Sequence, residues 1–315
     1  MRSAVPGEPA RLGERPVAAL GWSAHPSVAT ATAEAVGRVL DALAAADGML
    51  GRDPGTGAVP DLVVIAAAGT HAASAAAVGS AVRTLLSPRV LVVCTSTDLD
   101  VDGRSPTTDA LAVWALSAPG VSAVHLHPSG ADGSGNGGTG GLDGLNGAAA
   151  VDGTDGALRL ALVHPTDPGT GQRLASVATG RTIVARLAPC GHPAGDVLVL
   201  DGTVHRRGAV ILRVPGARAL LTDPAHAGLD IARTVADALP VAALGVALVA
   251  DSLGTPQHPR DALGDDRPAS AARALQAAVG PGVLVLRAAS LRAAPGPGRS
   301  PAVLAAAVVV DDGAR

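Results

Sequence analysis

The sequence predicts an α/β protein: two structurally related halves, each a mixed β-sheet covered by helices, joined by a Gly-rich linker. Three observations carry this. Short unbroken apolar runs, such as DLVVIAAA (61–68) and RVLVVCTST (89–97), have the character of strands buried on both faces. They alternate with Ala-rich stretches of helical spacing. The order of buried strand, helix, buried strand, irregular loop and further strand occurs at 61–117 and again at 245–310, with a looser version at 158–214.

The elements follow in order. Residues 1–18 form a Pro/Arg/Glu-rich flexible tail without the apolar core of an export signal. In 27–47, Val28, Ala31, Ala35, Val36, Val39, Leu40 and Leu43 recur at helical spacing, and Pro26 suits a helix start. A strand at 61–68, a helix at 72–86 and a strand at 89–97 come next, then strands at 110–117 and 120–128, the last alternating as a half-exposed strand does. Residues 129–156 are low-complexity Gly/Ser/Asp/Asn, too poor in apolar groups to offset their ordering entropy, and are predicted to be a flexible linker. Beyond it lie a strand at 158–165, a short helix near 171–179 and a strand at 182–189. A hairpin-like pair at 196–216 has Asp201-Gly202 as its turn signal. Helices at 228–239 and 270–279 then alternate with strands at 245–254, 282–290 and 302–310. The domains so defined are 19–128 and 157–315.

Composition excludes several chemistries. There is no Lys, so no Schiff-base lysine and no P-loop lysine. There is no Tyr or Phe, so neither a phenolic acid nor a stacking platform for single-stranded nucleic acid. A net charge of −3 argues against a polyanionic partner. No apolar run approaches the roughly 20 residues of a membrane span. The two cysteines are too few for a disulfide framework, which favours the cytoplasm. Abundant Ala, Gly, Pro and Arg reflect a high-GC bacterial genome. In a chain so short of large side chains, Trp22 is expected to anchor the start of the first helix, with Ser23 and His25 holding the turn.

Each motif has a plain reading beside a chemical one. GNGGTG (135–140) follows no strand and opens no helix, so it is low-complexity coincidence. HPTDPGTGQRLA (164–175) runs from strand through glycine loop to helix; its amides suit an anion, but an ordinary strand–helix turn is favoured. His125 and His127 share one face of a strand and are one short step from a metal site, with no third ligand near in sequence. Cys190 and His192 in PCGHP offer a thiolate and an imidazole to haem iron or a metal, against the simpler turn with a semi-buried thiol. Cys94, with Thr95 and Ser96, ends a buried strand, where α/β sheets bind ligands. DLDVDG lacks the length of an EF-hand loop. No G-x-S-x-G, H-E-x-x-H or C-x-x-C is present.

The segments GWSAHPSVATATAEAV, PDLVVIAAAGTHA, VLVVCTSTDLDVDGRS and LAVWALSAPGVSAVHLHP, with DVLVLDGTVHRRGAVILRVPG later, resemble the FIST family (F-box and intracellular signal transduction). Gly21, Ser23, His25, Pro26, Pro60, Asp61, Leu62, Cys94, Thr95, Pro119 and Gly120 carry the likeness. Departures are Val93 and Ser105, LAPCGHPAG after the middle strand, Ser252 in place of a late Cys, and a shortened C-terminal half. The resemblance implies a cytoplasmic small-ligand sensor that passes its signal to a separate signalling protein. Haem is the cofactor that some members suggest. Cys94, Thr95, Ser96, Cys190, His192 and Ser252 are the candidate ligand-binding residues, and no catalytic residue is expected. A haem or metal sensor, a degenerate scaffold and an uncharacterised enzyme are the alternatives.

Overall fold

The computed structural model describes residues 16–49, 59–96, 99, 109–127, 157–177, 181–221, 244–250, 283–294 and 305–310. The predicted linker (129–156), the helices at 228–239 and 270–279, most of the 98–109 loop and Ser252 lie outside the described residues. The fold is α/β, with fourteen strands in two mixed sheets and three α-helices among the described residues.

The first strand, β1 (Val17–Ser23), was not foreseen, and it begins where a mobile tail was expected. α1 (Val28–Met49), β2 (Leu62–Ala68), a 3-10 turn (Gly69–Ser74), α2 (Ala75–Leu86), β3 (Val90–Ser96) and β4 (Ala110–Ser117) follow. Then come β5 (Ser122–Leu126), β6 (Leu158–Val163), α3 (Pro168–Val177), β7 (Thr182–Leu187), β8 (Leu198–Leu200), β9 (Thr203–His205) and β10 (Ala209–Val214). β11 (Ala217–Leu221), β12 (Leu244–Ala250), β13 (Val283–Ala294) and β14 (Ala305–Val310) complete the order.

The first sheet runs β1-β4-β2-β3-β8-β9 and the second β11-β14-β12-β13-β7-β6-β10-β5. One pairing scheme is used three times. In β1-β4-β2-β3 the successive pairs are antiparallel, antiparallel and parallel. The set β5-β10-β6-β7 repeats that scheme, and so does β11-β14-β12-β13. The 61–117 and 245–310 repeats are therefore real at the level of topology, and the looser 158–214 version is a full third copy once β5 is included. The second and third units join through their third strands, β7 against β13. The β8–β9 hairpin is inserted in the second unit and extends the sheet of the first, through β8 against β3.

The hairpin turns at Asp201-Gly202 as predicted, with both residues at positive φ (51° and 89°), the type I′ signature. β10, however, does not continue that hairpin. After His205 the chain leaves the first sheet, and β10 lies between β5 and β6 in the second. β5 likewise belongs to the second sheet although it precedes the linker. The two sheets thus exchange strands across the expected boundary.

The layers are α-β-β-α. Side-chain alternation sends Val63, Ile65, Leu91, Val93 and Val113 to one face of the first sheet, under Val36 and Val39 of α1 and Val78 and Val82 of α2. The other parity sends Leu62, Val64, Val92, Trp114 and Leu116 against Leu160, Leu162, Ile183 and Leu212 of the second sheet. The outer face of the second sheet packs Ala161, Val163 and Ile211 on Leu174 of α3. With so few large side chains, fit depends on backbone approach. A Cβ on Gly21 would lie 1.9 Å from the Ala35 carbonyl oxygen, so only glycine lets α1 sit this close to β1.

Trp22 does not lead into a helix. It lies in edge strand β1, half-buried, with the Arg38 guanidinium 4.8 Å above its ring. The indole that fills the core between the sheets is Trp114, 2% exposed. Ser23 and His25 do hold the turn. Ser23 Oγ donates to Glu34 (2.6 Å) and accepts from the His25 amide (3.1 Å), and His25 Nδ1 accepts from the Ser27 amide (3.0 Å).

Candidate functional site

β1, β2 and β3 run in the same direction, so their carboxyl ends meet the start of β4 at one rim of the first sheet. Polar groups gather there. Ser23 and His25 follow from β1, Thr70 and His71 from β2, and Thr95 lies near the end of β3. Asp109 precedes β4. The loop after β7 adds Cys190, His192 and Asp196, because β8 pairs with β3 and carries the preceding segment across the rim.

Hydrogen bonds lock this convergence. Thr95 Oγ1 accepts from the Val197 amide (3.1 Å), and the Thr95 amide donates to Val197 O (3.3 Å). Asp196 accepts from the Cys190 amide (2.6 Å). Buried His164, at the end of β6, bonds Asp196 O through Nε2 (2.9 Å). Its Nδ1 accepts from the Thr166 amide, so Nε2 is the donor. His164 therefore positions the loop that brings the second unit to the rim of the first.

His71 is fully buried. Its Nε2 lies 2.9 Å from the His25 carbonyl oxygen, and because a carbonyl only accepts, Nε2 carries the proton. Nδ1 is buried and has no hydrogen-bond partner among the described residues. Asp109 accepts from the Thr70 amide at 2.7 Å. That bond, the Thr70 hydroxyl and the nearby His71 and His192 imidazoles hold the Asp109 carboxyl below its usual range. The carboxylates placed at this rim are Glu34, Asp109 and Asp196, and the Arg38 guanidinium lies beside them over Trp22.

The sequence-predicted residues divide. Thr95, Cys190 and His192 are brought together at this rim. The Cys190 thiol lies with Thr95 and Asp196, and burial followed by the Asp196 carboxylate pushes its pKa up, so it stays a thiol. His192 Nδ1 accepts from the Ala194 amide (3.1 Å) in a local turn. Cys94 is not in the site. It shares the parity of Val92, faces the core between the sheets and donates its S–H to Ile65 O at 3.4 Å; burial pushes its pKa up to about 12. Ser96 ends β3. Sequence reasoning missed His71, Asp109 and Asp196 as site residues, and the GTHA segment after β2 was their only local signal.

The glycine loop after β6 is an ordinary strand–helix turn. Asp167 accepts from the Thr170 amide (3.0 Å) and hydroxyl (2.8 Å), and Pro168 takes the first helical position. The carboxylate also accepts from the Gly208 amide (3.0 Å), so the place open to an anion is filled by the protein itself. Among the described residues no group of three or more His, Cys, Asp or Glu is arranged to hold a metal ion, and no helix is long and apolar enough to cross a membrane.

No family model matches the chain, and no curated protein matches it. The FIST resemblance rests on the quoted segments alone.

Proposed function

We propose that this chain is a non-catalytic, cytoplasmic small-ligand sensor whose site is the rim at the carboxyl ends of β2 and β3, with its signal read by a separate protein. The observation that carries the reading is His71: a fully buried imidazole whose Nδ1 has no partner among the described residues, beside the ionised Asp109. A buried polar atom left unmatched costs about 1–3 kcal/mol, which a ligand's hydrogen bond recovers. The ligand class is a small amine or polyol, since the Asp109 carboxylate lies beside His71. Catalysis is not part of the reading, because burial and Asp196 keep the Cys190 thiol protonated. The same protonation disfavours Cys190 as a haem thiolate.

The test starts with native mass spectrometry and an absorbance scan of freshly purified protein, then thermal denaturation against a panel of small amines and polyols. A ligand at 100 times its Kd adds about 2.7 kcal/mol to stability. That gain is expected in the wild type and is expected to shrink in Asp109→Asn. A co-purifying haem, or stabilisation confined to anions, would overturn the reading.

A further inference from the structure

A second cluster lies away from this rim, where the free edges of the two sheets meet. β5 ends one sheet and β9 ends the other. His125 on β5 and His205 on β9 stack with ring centroids 3.5 Å apart and planes 13° from parallel. His127, just past β5, meets His125 edge-on at 4.5 Å. His125 Nε2 bonds the Arg207 carbonyl oxygen (3.1 Å), and its Nδ1 is buried with no partner among the described residues. Gly208 allows this approach: at φ +89°, its Cβ would lie 2.1 Å from Leu126 O and 2.9 Å from His125 Nε2. Nearly parallel stacked rings cannot converge their lone pairs on one ion, so the cluster is not built as a metal site.

Among the described residues, no counter-charge acts on His125 or His205. The charges felt by His125 are those of His205 and His127, and the one felt by His205 is that of His127. Across β5, strand β10 sets Val210 beside His125 and Ala209 beside Leu126, while Arg213 stands opposite Ser122 and bonds Gly120 O. Across β9, strand β8 sets Leu198 beside His205. Arg206 and Arg207 link β9 to β10. Asp201 in the β8–β9 turn is taken by Arg83, and Asp167 by Thr170 and Gly208.

We propose that the His125–His127–His205 cluster is an acid-sensitive clasp, joining the edge strands β5 and β9 while its imidazoles are neutral and releasing them on protonation. Burial first, then the neighbouring imidazoles, lower His125 from 6.5 to about 4, and His205 is lowered in the same direction. A proton therefore binds the parted strands more tightly than the joined ones. The contact is at full strength above pH 6.5 and is lost as pH falls from 6.5 towards 4.

Hydrogen exchange read by mass spectrometry, corrected for intrinsic rates, tests this on the full chain. Between pH 7 and 4.5, protection of peptides covering 122–127 and 198–206 is expected to fall at least about tenfold relative to β2, since each unit of pKa shift is a factor of ten. The His205→Phe variant keeps a flat ring but removes one titrating partner, so it should lose less of its protection than the wild type, while the buried His125 still titrates. Should that variant fail to fold, imidazole Cε1–H titration by NMR in the wild type decides alone: His125 must titrate well below 6.5. A His125 midpoint near 6.5, protection that ignores pH, or an unchanged loss in folded His205→Phe would each overturn the clasp.

Discussion

Arg83 on α2 and Asp201 in the β8–β9 turn are joined at 2.5 Å, and the same carboxylate oxygen accepts the Leu91 amide at 3.0 Å. One aspartate thus ties an insertion of the second unit to a helix and a strand of the first. Both side chains are partly exposed, so the ionic part is small, about 0–1 kcal/mol. Asp201→Asn keeps the acceptor and tolerates φ 51°, and urea unfolding should register less than about 1 kcal/mol. Asp201→Ala loses both and should cost about 1–3 kcal/mol. Equal effects of the two variants would show that charge, not the turn and the amide bond, holds the hairpin.

Gly21→Ala forces a methyl into the Ala35 carbonyl. Either β1 or α1 must shift, and overpacking of this kind costs about 1–3 kcal/mol. Calorimetry should show a lowered Tm, with Gly37→Ala, where nothing lies within 4 Å, as the harmless control.

The two tryptophans are expected to differ. Trp114→Ala opens a void between the sheets and should cost about 3–5 kcal/mol in chemical denaturation. Trp22→Ala removes a half-buried ring and its Arg38 contact, the latter about 0.5–1 kcal/mol at exposed sites, and should be the milder change. Reversal of that order would contradict the placement of Trp114 in the central core.

Thiol chemistry gives an independent check. Cys94 should be alkylated only as fast as the whole fold opens, because its pKa of about 12 and its place between the sheets deny it a thiolate. Cys190 should respond to its neighbour: Asp196→Asn removes a charge that raises its pKa, so iodoacetamide modification at pH 8 should quicken several-fold. If Cys94 reacts first in the native protein, its assigned face is wrong.

Much of the fold was legible because β2, β3 and β4 are unbroken apolar runs that only a doubly covered strand tolerates. β1 was not, because Ala18 and Leu20 on one face and Val17 and Ala19 on the other give no contrast in polarity. The Asp201-Gly202 turn was legible because its φ values demand those residue types. That the next strand would leave for the other sheet was not, since partner choice is a long-range decision absent from local pattern. The same divide runs through the site. Thr95, Cys190 and His192 stood out by type and position. His71 and Asp109 acquire meaning only when β2 and β4 lie side by side. Cys94 was misjudged by one step of strand parity, which turned it from the rim into the core.

The strand exchange has a cost during synthesis. β5 leaves the ribosome before β10, the one strand it pairs with among the described residues, which emerges about 80 residues later, roughly 4–16 s at ordinary elongation rates. β3 waits longer, about 100 residues, for β8 to cover its other edge. An apolar edge exposed for seconds invites pairing with a neighbouring nascent chain. Translation speed through the Gly-rich stretch and access to chaperones therefore bear on the yield of this protein as directly as the stability of the finished fold.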